Sequence, residues 1–383
     1  MVVSLTVLTP IRRGDDTEQK NIKIREVLMN NKFIRGAVGF AAVSAITLSG
    51  GMAFAKDTIS IAVPSFLTGG AAGPFGIPAM NGAKMVADAI NAGKLPAPYN
   101  TKGFGGASAT IIPLDEGGGA TKQVAEYRNL VEKRNVDAVV GYISSGNCQA
   151  LAPVAEELKQ FTIFATCGTP RIFEEAARKY VFRTMGHATA DNVAAAMYVK
   201  EKYPNLKGYT GINQNYAWGQ DSWADFKSSI DVIFNQPKVV SEQFPKIFAG
   251  QYGTEISAIL VSKPDLIHSS LWGGDLESFI IQSNARGLFR NKTVFLSAAD
   301  HVLPSLGKNI PDGVIIGARG PHGDLAPNTQ LANWFKSEMK KKYKIKVTTQ
   351  PMHKGAMAAL FIKKAYDEAF LQLNKFPSNE EVI

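Results

Sequence analysis

Two small polar loops stand out in the sequence because each comes at or shortly after the end of a short apolar run. The first run, residues 138–140, leads into residues 144–147 (SSGN), and the second, residues 161–165, leads into residues 166–169 (TCGT). Between them, apolar residues recur near helical spacing, with Pro153 early, where a helix tolerates it. This order predicts a strand, a loop, a helix, a strand and a second loop of a parallel α/β sheet.

The position of the two loops suggests a binding site for an anion. Both should leave the carboxyl ends of neighbouring parallel strands, where open α/β sheets bind ligands. The helix that we expect after Asn147 points unpaired amide N–H groups and its positive dipole end at the same place. With the hydroxyls of Ser144 and Ser145, these groups form a receptacle for a carboxylate. The alternative is an ordinary helix N-cap, where Ser, Gly and Asn are common without binding anything.

The length and composition predict a two-domain folded protein. The chain has 383 residues, too many for one typical domain, with 45% hydrophobic and 20% charged residues. The formal charge is +9, but the basic residues are scattered, and the short cluster at residues 340–342 is typical of a solvated helix end. We therefore expect no nucleic-acid partner. After residue 55, no uninterrupted apolar run is long enough to span a bilayer.

The N-terminal region predicts export. Residues 29–55 read as a signal peptide, with Lys32 and Arg35 before an apolar stretch at residues 36–48 and a small-x-small site at Ala53-Phe54-Ala55. We expect cleavage after Ala55 and a periplasmic location. Residues 1–28 fit no fold and are interpreted as a non-native extension.

The two cysteines, Cys148 and Cys167, are predicted to form a disulfide. An even number of cysteines in an exported protein favours a disulfide over a metal site, and zinc would need further ligands that the nearby sequence does not supply. Because both residues follow adjacent predicted strands, a Cα separation within the bridging range of roughly 4.4–6.8 Å is expected. We predict no metal site.

Alternating apolar runs and amphipathic segments continue along the chain. They predict strands at residues 58–63, 110–114, 180–185, 208–212, 239–244, 265–269, 294–296 and 313–318 besides the two already described. They predict helices at residues 80–90, 123–134, 191–203, 221–234, 256–261, 276–286, 334–342 and 355–370.

Residues 137–147 (DAVVGYISSGN), the Pro-bearing helix after them and the TCGTP loop resemble the branched-chain amino-acid type of periplasmic solute-binding protein. The likeness extends from residue 58 to residue 370. Residues 181–184 (VFRT) and the loop at 213–220 also follow the family pattern. The resemblance implies the type I periplasmic binding fold, an α/β fold with two Rossmann-like lobes, parallel sheets and a multi-strand hinge. The family also has an acidic turn at the place of Asp115-Glu116, so a phosphate cradle there is disfavoured.

In that family the two polar loops hold the α-carboxylate of the ligand. The resemblance therefore implies that Ser145 and the backbone at Thr166 and Gly168 grip a carboxylate. The family often has Thr at the place of Gly168, so one side-chain hydrogen bond is either missing here or supplied by Thr169. The residues assigned to the two loops are Ser144, Ser145, Gly146, Thr166, Cys167, Gly168 and Thr169.

Aromatic residues on other loops are expected to cover an apolar part of the ligand, and Trp218 stands at the place of the family's ligand-covering aromatic. Phe75 precedes a Gly after the first predicted strand, Trp218 lies in the loop before a helix, and Trp272 and Asp275 lie in a strand-end loop like the family's "GG" loop. A flat side chain on a loop suits closure over an organic solute. The alternative is that Trp218 is a packing residue.

Asp300 decides the class of ligand. The family places an acidic residue on this strand-end loop against the ligand's α-ammonium. If Asp300 faces the cleft, a branched-chain or aromatic amino acid fits, because a buried carboxylate needs a partner. If it turns away or pairs with Arg319, the cleft suits a carboxylate without an amine, such as an aromatic acid, or a neutral amide.

The resemblance also implies a division into lobes. We expect the N-terminal lobe at residues 56–187 plus 320–375 and the C-terminal lobe at residues 188–319. The family normally continues with more strands of the second lobe and a third crossing, so the closing segment of the C-terminal lobe is expected to be missing.

The function that these observations predict is capture of a small solute between two lobes and its delivery to the permease of an ABC importer in the inner membrane. The protein is expected to be a monomer without a cofactor. An enzyme is disfavoured because no Gly-x-Ser-x-Gly elbow, zinc helix or Walker motif is present and the five histidines are dispersed. A ligand-sensing module of the same fold, binding an amide or aromatic acid, is the alternative.

Overall fold

The computed structural model describes residues 57–383, which form one compact unit. The predicted signal peptide and the extension before it lie outside the described residues. Ten strands form two five-stranded parallel sheets, as the sequence predicts. We number the strands β1 to β10 and the α-helices α1 to α12 in chain order.

The first sheet has the strand order β2-β1-β3-β4-β5. Strand β1 lies between β2 and β3 and pairs with β2 from Thr58 opposite Ser108 to Ser65 opposite Asp115. The strands are β1 Thr58–Ser65, β2 Ser108–Asp115, β3 Ala138–Gly141, β4 Thr162–Phe164 and β5 Val181–Arg183. The order places the loops after β1, β3 and β4 side by side at the carboxyl edge of the sheet.

Helices cover both faces of the first sheet, which is why its strands are apolar on both sides. Successive residues of β3 alternate between two cores: Ala138 and Val140 face one, and Val139 faces the other. The helices are α1 Ile77–Asn91, α2 Gly119–Arg128, α3 Ser145–Glu157, α4 Arg171–Glu174, α10 Gln330–Tyr343, α11 Gln350–Leu373 and α12 Asn379–Val382. The helices α1 and α11 pack closely, because Gly82 lies against the backbone of Met352.

The second sheet has the order β10-β9-β8-β6-β7. Its residues alternate in the same way, with Leu266 in one core and Ile267 in the other. Each such fully buried side chain stabilises the fold by about 1.5–3 kcal/mol relative to exposure. The elements are α5 Ala188–Lys202, β6 Gly208–Ile212, α6 Ala217–Ile233, β7 Lys238–Gln243, α7 Gly253–Ser262, β8 Leu266–Ser269, α8 Gly273–Ala285, β9 Thr293–Leu296, α9 Leu303–Leu306 and β10 Ile315–Ile316.

Most element boundaries differ from the sequence predictions by a few residues, and three of these differences concern α3, α2 and β10. Helix α3 begins at Ser145, before Asn147, so Pro153 is its ninth residue and lies inside the helix, where an early position was expected. Helix α2 begins at Gly119 and continues into a π-helical turn at Asn129–Lys133. The last strand is only two residues long. In each case the apolar pattern marks the buried face, but backbone hydrogen bonds set the ends.

The two parts of the structure are connected where the chain passes from β5 to α5 and from β10 to α10. An antiparallel bridge between Ala298 and Ala318 precedes the second passage. Among the helices of residues 57–383, none combines the length and apolar character that crossing a bilayer requires.

Candidate functional site

A cleft lies between the carboxyl ends of the two sheets, where the loops of both converge. Protein atoms leave about 280 Å³ there, including space open to solvent. The lining comes from loops after β1, β3 and β4 on one side and after β6, β8 and β9 on the other, together with the second connection. The lining residues are Phe75, Ile143, Ser145, Thr166, Gly168, Tyr216, Trp218, Trp272, Ala298 and Arg319.

Ser145 connects the two polar loops of the first sheet. Its Oγ accepts hydrogen bonds from the backbone N–H of Gly168 at 3.1 Å and of Thr169 at 3.2 Å. The hydroxyl therefore keeps its own proton to donate to a ligand. The expected grip by the backbone N–H of Gly168 is not supported, because that group donates to Ser145.

Glu116 fixes the backbone of the serine loop, residues 144–147, and of the residue before it. Its carboxylate accepts the backbone N–H of Ile143 at 2.8 Å and of Ser144 at 2.7 Å, and Nδ2 of Asn147 at 3.1 Å. Burial raises the pKa of Glu116 to about 8, although these three hydrogen bonds act to lower it. The sequence suggested only an acidic turn here, because the contacts join residues far apart in the chain.

Three aromatic side chains form the walls of the cleft. Nε1 of Trp218 donates to the carbonyl of Ser270 at 2.9 Å, and Nε1 of Trp272 donates to the hydroxyl of Tyr216 at 2.8 Å. The ring of Phe75 meets that of Trp272 edge to face at 5.5 Å. These contacts fix the rings before a ligand arrives, and the hydroxyl of Tyr216, which accepts from Trp272, keeps its own proton to donate.

Gly168 and Trp218 fit each other across the cleft. A Cβ placed on Gly168 would lie 2.4 Å from the ring of Trp218 and 2.9 Å from Nη2 of Arg319. The indole thus occupies the space that a Thr side chain would take in the related pattern. This explains in physical terms why Gly stands at this position.

Arg319 was not predicted as a ligand residue, but its side chain lines the cleft and is only 6% exposed. Its Nε donates to Asp191 at 2.5 Å and its Nη2 to the carbonyl of Gly186 at 2.8 Å, while the guanidinium lies 4.5 Å from the ring centre of Trp218. Among the described residues it is the only charged side chain in the lining. A single Arg belongs to no local motif, so its place in the cleft could not be predicted from the sequence.

Asp300 does not line the cleft, which corrects the expectation that it meets a ligand ammonium. Its Oδ2 accepts the backbone N–H of Gln350, at the start of α11, at 2.8 Å and a hydrogen bond from Nδ1 of His322 at 3.2 Å. Ala298 lines the cleft instead. The side chain turns towards α11 because the positive end of that helix stabilises a carboxylate.

Asp275 also lies outside the lining. It is buried in the first turn of α8 and accepts hydrogen bonds from Gln214, Phe248 and Gly250. It therefore holds a neighbouring loop and has no free position towards a ligand.

The remaining predicted loop residues support the site without lining it. The structure joins Cys148 and Cys167 in a disulfide with a Cα separation of 6.4 Å, so α3 is tied to the second loop.

The hydroxyl of Thr169 donates to Asp221 and is not available to replace the side-chain hydrogen bond of a Thr at position 168. Ser144 caps α3 without a side-chain hydrogen bond, and Gly146 lies beside Tyr216. Within residues 57–383, no group of three or more potential ligand side chains could hold a metal ion.

Residues 58–383 match the family model described as periplasmic binding protein. This is most of the chain, so the protein belongs to the periplasmic binding protein family, as its motifs predict. No match was found among curated protein sequences.

Solved structures share the fold at low identity. A solute-binding protein of an ABC transporter from R. palustris, in complex with benzoate, is 19% identical, with a TM-score of 0.70 over 85% of this chain and 84% of that chain. A leucine-binding protein from Thermotoga maritima is 19% identical, with a TM-score of 0.69 over 85% of each chain. A solute-binding protein from Rhodopseudomonas palustris with 3,4-dihydroxybenzoic acid is 17% identical, with a TM-score of 0.69 over 85% and 84%. The predicted type I fold is confirmed.

Proposed function

We propose that the protein is the periplasmic substrate-binding component of an ABC importer and that it captures a small carboxylate without an amino group, carried on an aromatic or apolar body. One observation carries the proposal. Arg319, Ser145, Thr166 and Tyr216, whose side chains can donate hydrogen bonds, line the cleft, whereas no Asp or Glu of the described residues lines it.

The donors suit one end of such a ligand and the aromatic walls suit the other. A carboxylate can accept hydrogen bonds from the hydroxyl of Ser145 and from the guanidinium of Arg319, and hydrogen bonds to charged groups contribute about 1.5–3 kcal/mol each. The rings of Phe75, Trp218 and Trp272 can cover a flat apolar body. An α-ammonium would be buried next to a guanidinium without an acidic partner, which is unfavourable.

The size of the cleft favours a small solute. The space of about 280 Å³ between the protein atoms includes space open to solvent, so the enclosed part is smaller and excludes a bulky solute. The solutes named for the structurally similar proteins, benzoate and 3,4-dihydroxybenzoic acid, are small aromatic carboxylates and support this class. Leucine, implied by the name of another, is the competing class.

Binding rather than catalysis is supported by the surroundings of Ser145. Its Oγ contacts two backbone N–H groups, and among residues 57–383 no imidazole or carboxylate is hydrogen-bonded to it that could activate it as a nucleophile. Release of an unchanged solute to an inner-membrane permease, by a protein acting as a monomer, is the role that fits two lobes closing about a hinge.

A matched pair of ligands tests the proposal. In isothermal titration calorimetry, 3-phenylpropanoate should bind at least about tenfold more tightly than phenylalanine, which differs only by the ammonium group; that factor corresponds to about 1.4 kcal/mol. The pair 4-methylpentanoate and leucine should behave in the same way, and benzoate should bind. Tighter binding of either amino acid than of its matched acid would overturn the ligand class.

Asp300→Asn is the matched control for this experiment. Because Asp300 contacts α11 and His322 instead of the cleft, the variant should leave the ratio of the two affinities unchanged, even if its stability falls. A selective loss of phenylalanine binding would show that Asp300 reaches the ligand.

A further inference from the structure

A polar cluster at one rim of the cleft joins the two sheets through their flanking elements. Asp221 of α6 accepts a hydrogen bond from Nε of Arg171 at 2.8 Å, forms an ion pair with Nη2 of the same residue, and accepts the hydroxyl of Thr169. Arg171 begins α4, on the first sheet, whereas α6 packs on the second. The cluster therefore crosses from one lobe to the other.

The cluster is attached directly to both walls of the cleft. Asp221 is one helical turn after Trp218 on α6, and Thr169 directly follows Gly168. Since Trp218 lies against Gly168, the pair of Asp221 and Arg171 holds in contact the two elements that would enclose the ligand. Any hinge motion that separates the lobes must break these hydrogen bonds.

The burial of the cluster distinguishes it from an ordinary surface ion pair. The side chain of Asp221 is 9% exposed and that of Arg171 is 36% exposed. Fully exposed pairs contribute about 0–1 kcal/mol, because water screens them and both side chains lose rotamer freedom. A largely buried carboxylate that accepts three charge-assisted or hydroxyl hydrogen bonds is more strongly bound. It also pays a desolvation cost if its partners leave while it stays buried.

We propose that Asp221 is a positioning residue for Trp218: with Arg171 and Thr169 it forms a latch between the lobes that slows release of the bound solute. The inference rests on the proposed function, since it needs a ligand held between closing lobes. The contacts between Asp221, Arg171 and Thr169 must open before an enclosed solute can leave, and changes at one interface act mostly on the dissociation rate, so the latch is expected to act there.

Stopped-flow tryptophan fluorescence with benzoate as the probe tests the latch. Asp221→Asn and Arg171→Gln should each increase the dissociation rate about 10- to 100-fold, the factor that hydrogen bonds to a charged group carry. The association rate should change by less than about threefold. The double variant should dissociate no faster than Asp221→Asn alone, because both substitutions remove the same interaction.

Asp225→Asn is the matched control. Asp225 lies one turn further along α6 and accepts the hydroxyl of Thr189 at 2.9 Å, within the second lobe. Its substitution removes the same charge from the same helix but none of the hydrogen bonds that join Asp221 to Arg171 and Thr169, so the dissociation rate should stay at the wild-type value. A purely structural effect of acidic residues on α6 would change both variants equally.

The possible outcomes separate the latch from the proposed ligand class. If wild-type protein binds benzoate and Asp221→Asn releases it at the wild-type rate, or if the two single effects add in the double variant, the latch is wrong. If the wild type binds leucine and not benzoate, the ligand class is wrong and the same comparison is made with leucine. A wild-type protein that binds neither probe overturns both proposals.

Discussion

At the scale of single residues, Ser145 has two roles that a sequence pattern cannot separate. Its oxygen accepts two N–H groups of the neighbouring loop, and its proton remains for the ligand. The neighbouring Ser144 is the same residue type, but its side chain makes no capping hydrogen bond, and Glu116 accepts its backbone N–H. Loss of the Ser145 hydroxyl is therefore expected to weaken ligand binding, whereas loss of the Ser144 hydroxyl is not.

Ser145→Ala should weaken binding of benzoate by roughly 1.5–3 kcal/mol, the range for a hydrogen bond to a charged group. Calorimetry measures this change. Ser144→Ala is the matched control, because the Ser144 side chain makes no capping hydrogen bond and does not line the cleft, and its affinity should remain within about 0.5 kcal/mol of wild type. Equal affinities for both variants would show that the serine loop only caps α3.

The cleft residues that could be predicted from local sequence are those that follow strands. Ser145, Thr166 and Gly168 line the cleft because parallel strands bring their carboxyl ends together. Asp300 also follows a strand, but its direction depends on the N–H of Gln350, 50 residues later in the sequence. Arg319 comes into the cleft through a connection between the lobes. Such long-range placements have no local pattern.

At the scale of elements, the N-terminus of α3 is held by an acidic group from another strand. Glu116 follows β2, and its carboxylate fixes the backbone at Ile143 and Ser144 just before α3. The disulfide between Cys148 and Cys167 constrains the other side of the same helix. The helix end is therefore rigid before a ligand arrives, which reduces the entropy lost on binding.

The raised pKa of Glu116 makes a prediction for stability against pH. With a pKa of about 8 in the folded protein and 4.5 as its ordinary value, the folded state keeps a proton that the unfolded chain releases. The stabilisation linked to this proton is complete below about pH 4.5 and is lost as the pH rises through about 8. Relative to Glu116→Gln, the free energy of unfolding of wild type should therefore fall across this window and level off above it.

Chemical denaturation at a series of pH values measures this difference. The Gln variant carries a constant penalty, because its amide N–H faces a backbone donor, but that penalty does not vary with pH. Comparing the two proteins also removes the contributions of other titrating groups, such as His301, whose pKa burial lowers to about 4. A difference that is flat with pH would show that three hydrogen-bond donors keep Glu116 charged.

At the scale of the whole molecule, the pattern of strands and helices predicted both sheets, because runs buried on two faces read as continuous apolar segments. How closely the two sheets approach each other could not be predicted from the pattern of apolar residues. It depends on contacts such as the backbone hydrogen bond from Gly274 to the carbonyl of Gly70 at 3.0 Å. A glycine in the sequence does not show which distant backbone it contacts, so such contacts are known only from the structure.

Gly70 and Gly274 lie where the two lobes meet, and substituting them tests closure of the lobes without changing a ligand-binding or latch residue. A Cβ on Gly274 would lie 2.7 Å from the carbonyl oxygen of Gly70, whereas a Cβ on Gly70 would find its nearest neighbour, the Cα of Gly274, at 4.0 Å. The first distance forces the lobes apart and the second is an ordinary contact. Gly274 also lies in the first turn of α8, where Ala is the better helix former.

Gly274→Ala should therefore weaken benzoate binding, by about tenfold or about 1.4 kcal/mol, while the melting temperature of the ligand-free protein is unchanged or higher. Gly70→Ala should bind benzoate as tightly as wild type. Calorimetry gives the affinities, and thermal unfolding without ligand excludes a folding defect, because a misfolded variant would lose stability and affinity together. Equal affinities in wild type and both variants would mean that the solute is held without the lobes approaching to this distance. Binding would then depend on the loops of one sheet, and not on the closure that brings Trp218 and Gly168 together.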